Sequence, residues 1–239
     1  DADHVYNTPR AWFMCRYFNP RTYKWDGENA DFTPESDDIP WSLVPERKIT
    51  VEDVKYILSS YYQGTSYNPY NAKDNPLKGK YRPIGIARTD VMAVLQIRGY
   101  LPKEIQAVEW LCFGCNAFNV PMPLYTNVDK MPRYVSETSK DVSTNDFYWA
   151  SRIFGALVDA HFGDCIMHVE RYQNAVAAKG HELLNKSDEE FVKNHDVSYL
   201  TKANDAVASM VKEQTDKAMK NVLLTASSLM KCNYFRSDN

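Results

Sequence analysis

Residues 91–126, VMAVLQIRGYLPKEIQAVEWLCFGCNAFNVPMPLYT, decide the fold. In MAVLQIR, Met92, Val94 and Gln96 share one face of an extended chain, and Ala93, Leu95 and Ile97 share the other. Two mainly apolar faces predict a central strand covered on both sides. Gly99 to Lys103 interrupts the pattern, and two further strand-like runs follow, AVEWLCFG at 107–114 and VPMPLYT at 120–126. Pro121 and Pro123 place the second of these at an edge, because proline cannot donate to an interior ladder. Upstream, RPIGIART (82–89) alternates through Ile84 and Ile86. Three or four short strands without intervening helices predict an antiparallel meander.

Either side of this core the period changes. Residues 5–18 (VYNTPRAWFMCRYF) are nearly all apolar or aromatic, and Pro9 suits the opening of a short helix. Pro20, Pro34, Pro40 and Pro45 then punctuate a polar stretch, 19–48, that is too proline-rich for a helix. Thr50 with Asp53 reads as an N-cap, followed by Val51, Val54, Ile57, Leu58 and Tyr61 at helical spacing up to Gly64. Residues 65–80 form a second polar loop. Beyond Pro132, Ser143, Thr144 or Asn145 caps a helix carrying Phe147, Ile153, Phe154 and Val158. Further helices are predicted over about 164–185 and 198–231, with charged residues 188–192 as a linker or a helical turn. The class is α+β, divided at 1–144 and 145–239, the second part a helical extension.

Composition excludes several classes. The 239 residues carry 25% charged and 44% hydrophobic side chains, the ordinary balance of a folded domain. A net charge of -3 leaves no global electrostatic footprint for nucleic acid or an anionic membrane. No apolar run approaches the roughly 20 residues of a spanning helix. The first ten residues, DADHVYNTPR, lack the basic and apolar regions of a secretion signal. Together with five unevenly spaced cysteines, this points to free thiols in a cytoplasmic protein. The chain does not open on Met, so it is either processed or part of a longer polypeptide.

Nucleotide-binding loops, G-x-S-x-G elbows and H-E-x-x-H helices are missing from the sequence. Cys112 and Cys115 form a C-x-x-C, and His161, Cys165 and His168 share a helical face, which leaves a zinc site as a minor alternative. Arg10, Arg16, Arg82, Arg88 and Arg98 lie within or beside apolar runs, where a guanidinium needs a paired group or a ligand. Tyr61, Tyr62, Tyr67 and Tyr70 offer an aromatic groove for a peptide or partner, the basis of a non-enzymatic alternative.

Six ordered blocks carry a family resemblance. They are YNTPRAWFMCRYFNP (6–20), RPIGIART (82–89), VLQIRGYLP (94–102), EWLCFG (109–114), VPMPLYTNVDKMP (120–132) and DFYWASR (146–152). Together they resemble the N-terminal-nucleophile cysteine dipeptidases of lactic acid bacteria, related to secernins and remotely to bile-salt hydrolases and penicillin V acylases. The resemblance implies a four-layer αββα sandwich and a peptide hydrolase whose nucleophile is an N-terminal Cys. Family members are roughly twice as long as this chain, and Asp1 cannot serve as that thiol. The chain therefore reads as the C-terminal half of such an enzyme. Its implied partners are a short peptide substrate, the missing N-terminal half and further copies in a homo-oligomer, with no cofactor, no metal, no nucleic acid and no membrane. By its place in the fold, Arg10 is the catalytic candidate, a cation near the thiolate, and Asn7 and Arg88 are the substrate-binding candidates.

Overall fold

A computed structural model describes residues 3–231; Asp1, Ala2 and residues 232–239, Cys232 among them, lie outside those described. The chain divides into two compact units, Asp1–Ile86 and Ala87–Asn239. The sequence-based division falls instead at 144/145.

The first unit is built on two helices and long loops. Helix α1, Asn7–Phe18, takes Pro9 in its first turn, where no backbone donor is required, and buries Pro9, Trp12 and Phe13. Helix α2, Val51–Leu58, opens on a complete capping box between Thr50 and Asp53. It stops at Ser59, short of the expected Gly64. Two left-handed residues, Tyr62 (φ 62°) and Gly64 (φ 77°), break the periodic run, and the Tyr62 ring enters the core instead. That core joins Trp12, Phe13, Trp25, Ile57, Tyr62 and Tyr81. Residues 19–48 are irregular as expected, and side chains satisfy their backbone. The Glu46 carboxylate accepts from the N–H groups of Arg21 and Thr22, both at 2.7 Å, and Trp25 donates to the Asn19 carbonyl at 2.8 Å.

RPIGIART is not a strand. Its backbone bonds run elsewhere: the Gly85 N–H donates to the Ser60 carbonyl at 2.7 Å. A Cβ at Gly85 would fall inside the van der Waals surface of the Ser59 carbonyl, so this close approach of two backbones requires glycine.

In the second unit, β1 (Val91–Ile97), β2 (Ala107–Phe113) and β3 (Met122–Tyr125) form an antiparallel sheet in the order β1-β2-β3. The meander is therefore as expected, and β3 with Pro123 lies at an edge. The position of β1 is not. It is the opposite edge strand, and only one of its faces is covered: Met92 is buried, whereas Val91, Leu95 and Ile97 are exposed.

Helix α3 (Arg133–Ser136) leads to α4 (Phe147–Ala160), whose cap is Asp146 and not one of the three residues before it; its carboxylate accepts the Trp149 N–H at 2.9 Å. Helix α5, Phe162–Asn194, runs unbroken through 188–192. Asp188 is not a linker charge but a buried one, bonded to Arg98 and to the Tyr125 hydroxyl. His195, left-handed at φ 51°, ends the helix, and α6 (Ser198–Ser228) returns along it. Gly180 of α5 lets the helix approach Pro123 and Trp110 on the inner sheet face. Asn204 of α6 closes the β3 edge: its amide accepts from the Tyr125 N–H at 2.8 Å and donates to the Tyr125 carbonyl at 3.0 Å. No helix of the described residues is long and apolar enough to cross a membrane.

Candidate functional site

Helix α1 places the catalytic candidate. Pro9 and Phe13 turn into the core, and Arg10 lies half-buried beside them. Its guanidinium donates through Nη2 to the Pro83 carbonyl at 3.0 Å and through Nε to the Arg82 carbonyl at 3.4 Å. The Tyr62 hydroxyl donates to the same Arg82 carbonyl at 3.0 Å. Arg10 thus fixes the start of RPIGIART, with Gly85 seated on Ser60 two residues further on. Asn7, one turn before Arg10, is exposed and donates to Asp3 at 2.8 Å. Arg88 is exposed in the second unit. The first unit brings Asn7 and Arg10 onto one helix, and Arg88 belongs to the other unit.

Beside Arg10 on α1, Trp12 and Arg16 line a cleft of about 400 Å³ with Trp25, Asp26, Thr65 and Tyr67. Its volume falls in the range of small-molecule sites. Arg16 lies over the Trp12 ring, 5.6 Å from its centroid, and donates through Nε to Asp26 at 2.9 Å. The opening therefore carries aromatic walls and both signs of charge. Sequence reasoning treated Arg16 only as an arginine in need of a partner. The spacing of Trp12 and Arg16, one turn apart on a helix, was the available signal for the cleft. Of the four tyrosines expected to form a groove, Tyr67 lines the cleft, whereas Tyr62 is a core residue with no exposed surface.

Arg82, Arg98 and Arg152 have structural partners. Arg98, 4% exposed, pairs with Asp188 and donates to the Ile105 carbonyl. Arg82 lies 5.3 Å from the centroid of the Tyr6 ring. Arg152, from the DFYWASR block, donates to the Ala87 carbonyl at 2.6 Å.

Among the described residues, Cys15, Cys112, Cys115 and Cys165 form no disulfide. Burial pushes Cys15, Cys115 and Cys165 above the ordinary thiol value, which favours the protonated, unreactive form. The zinc alternative finds no geometry. Among the described residues, no group of three or more His, Cys, Asp or Glu stands together to hold a metal ion. His161 stands at the junction of α4 and α5 with non-helical backbone, and His168 bonds Thr225 at 3.1 Å.

The sequence model of peptidase family C69 matches residues 1–175, and the chain belongs to that family. A dipeptidase of Bifidobacterium longum is 40% identical along the whole chain, which covers 52% of that protein. A probable dipeptidase A of Streptococcus pyogenes is 38% identical, again along the whole chain and over 49% of its own length. A probable dipeptidase B of Lactococcus lactis is 31% identical, with 48% of its length covered. The chain spans about half the length of these relatives. The resemblance drawn from the six blocks is thus borne out at the level of the family.

Proposed function

We propose that this chain is the C-terminal half of a dipeptidase of the N-terminal-nucleophile cysteine type, arranged as an αββα sandwich. The observation that carries the reading is the family match over residues 1–175. The raised pKa that desolvation gives Cys15, Cys115 and Cys165 supports it, because a thiol that attacks a peptide needs the opposite environment. In this reading the nucleophile is an N-terminal Cys supplied by the other half of the polypeptide. Its α-amino group, with an intrinsic pKa of about 7.7–8.0, takes the thiol proton. The thiolate attacks the scissile carbonyl, the amine leaves with a proton, and water hydrolyses the thioester.

The residues of this chain serve that centre. Arg10, held at a fixed angle by the Arg82 and Pro83 carbonyls, presents positive charge near the thiolate. The cleft between Trp12, Arg16 and Asp26 suits a short zwitterionic peptide, and Asn7 on the same helix adds a polar contact to the substrate. Alkylation tests the reading. The longer polypeptide should hydrolyse dipeptides and lose that activity to iodoacetamide in step with labelling of its first residue. Inactivation that tracks labelling of Cys15 or Cys115 would overturn the N-terminal nucleophile.

A further inference from the structure

The two edges of the sheet differ. Asn204 closes β3, whereas no further strand of the described residues pairs with β1. The direction of the unpaired groups follows from the ladder. The Arg98 N–H donates to the Gln106 carbonyl at 2.9 Å, and the Gly114 N–H donates to the Asp90 carbonyl at 3.0 Å. In an antiparallel pair these bonds recur at every second residue, so the even-numbered residues of β1 carry the bonds to β2. The N–H and C=O groups of Val91, Ala93, Leu95 and Ile97 therefore point to the open edge. The side chains of the same residues are bare: Leu95 is 74% exposed and Ile97 71%.

Burial across this face is graded. On β3, Met122 and Leu124 are fully buried; on β2, their register partners Leu111 and Glu109 are half-buried; on β1, Ala93 and Leu95 are exposed. The covering layer stops before it reaches β1. An apolar face and a line of unpaired backbone groups on one strand have a single joint remedy, a further strand that bonds the edge while its layer covers the face.

We propose that β1 is an internal strand of the complete protein, and that its open edge receives a strand from the half of the family polypeptide that this chain does not span. The inference rests on the reading of the chain as one part of a longer dipeptidase. The occupant follows from length: the relatives hold as many residues again as the chain covers, enough for a second layer. It follows also from the uncharged sequence of VMAVLQI, which lacks the lysines and prolines that protect a solvent-facing edge.

Hydrogen exchange read at single amides tests this in the chain and in the longer polypeptide. The Ala93, Leu95 and Ile97 amides should exchange freely in the chain and slow by at least about 100-fold in the longer polypeptide. Ala93→Pro removes an outward N–H and spares the β1–β2 ladder. It should leave the melt of the chain unchanged, yet lower that of the longer polypeptide and abolish its protection at Leu95 and Ile97. Equal exchange in both proteins would overturn the proposal. So would protection in the chain alone that rises with its concentration, since the occupant would then be a second copy. A longer polypeptide that protects these amides but hydrolyses no dipeptide would refute the functional reading and leave this one standing.

Discussion

In the proposed reading Arg10 has two duties, which one substitution separates poorly and two separate well. Its bonds to the Arg82 and Pro83 carbonyls hold a segment with no sheet or helix of its own. Arg10→Ala in the longer polypeptide should therefore lower stability by about 1–3 kcal/mol, the usual range for bonds to a charged donor. It should also lower kcat/KM by at least about 10²-fold, roughly 2.7 kcal/mol, through loss of charge near the thiolate. Arg10→Lys keeps the charge without the planar fork and should retain partial activity. Steady-state kinetics below the melting temperature of each variant decide it. Near-normal turnover in folded Arg10→Ala would make the residue purely structural. Asp53 gives a second test. The Arg47 guanidinium, which it binds through both oxygens at 2.6 Å, holds its carboxyl well below the usual carboxylate range. A depressed folded pKa means stability that is present above the unfolded value of about 3.9 and lost as pH falls through and below it. Melting of the first unit should thus drop steeply from pH 5 to pH 2, and Asp53→Asn should make that slope shallower. The capping role of Asp53 was legible in the sequence, because Thr50 lies three residues away. The partners of Arg10 were not, because carbonyl groups carry no side-chain signature and lie more than 70 positions on.

At the scale of elements, Asn204 acts as a single residue of strand. Its amide meets both polar groups of Tyr125 with the pattern of a ladder, from a buried position in the middle of a helix turn sequence, KANDAV. Asn204→Ala should leave two buried backbone groups unpaired and cost about 2–5 kcal/mol of unfolding free energy in denaturant melts. Asn204→Asp retains an acceptor for the Tyr125 N–H but sets a carboxylate against its carbonyl, and should fare little better. Helices were legible where period and cap are local, as in α2 and α6. They were left open where a distant group decides. Charges at 188–192 read as a linker or a helical turn; the residues are helical, and Arg98, 90 residues away, pairs with the buried Asp188 inside an unbroken α5. The alternation of RPIGIART is real, but Gly85 spends its N–H on Ser60, so no ladder forms. In β1 the two apolar faces were read correctly as residues, but among the described residues only one of them is covered.

At the scale of the whole molecule, the described residues contain a sheet, a clamp and a cleft, but desolvation raises the Cys15, Cys115 and Cys165 thiols above the ordinary value. The purified chain should therefore show no turnover on a panel of dipeptides, while the longer polypeptide does. Thiol-sensitive hydrolysis by the chain alone would point to Cys15 as an internal nucleophile. One feature bears on how such a protein survives its own synthesis. The heptad VMAVLQI has no charge, proline or glycine, and β-branched or long apolar residues dominate it. Such a segment, left uncovered, can stack in register with copies of itself into the dry zipper of an amyloid spine. Asp90 and Arg98 bracket it, one charge of each sign. In an unfolded nascent chain both are free to act as gatekeepers, whereas in the native fold Arg98 is committed to Asp188. The protection is kinetic, and salt that screens those two charges should weaken it, so unfolded chain should aggregate faster as ionic strength rises.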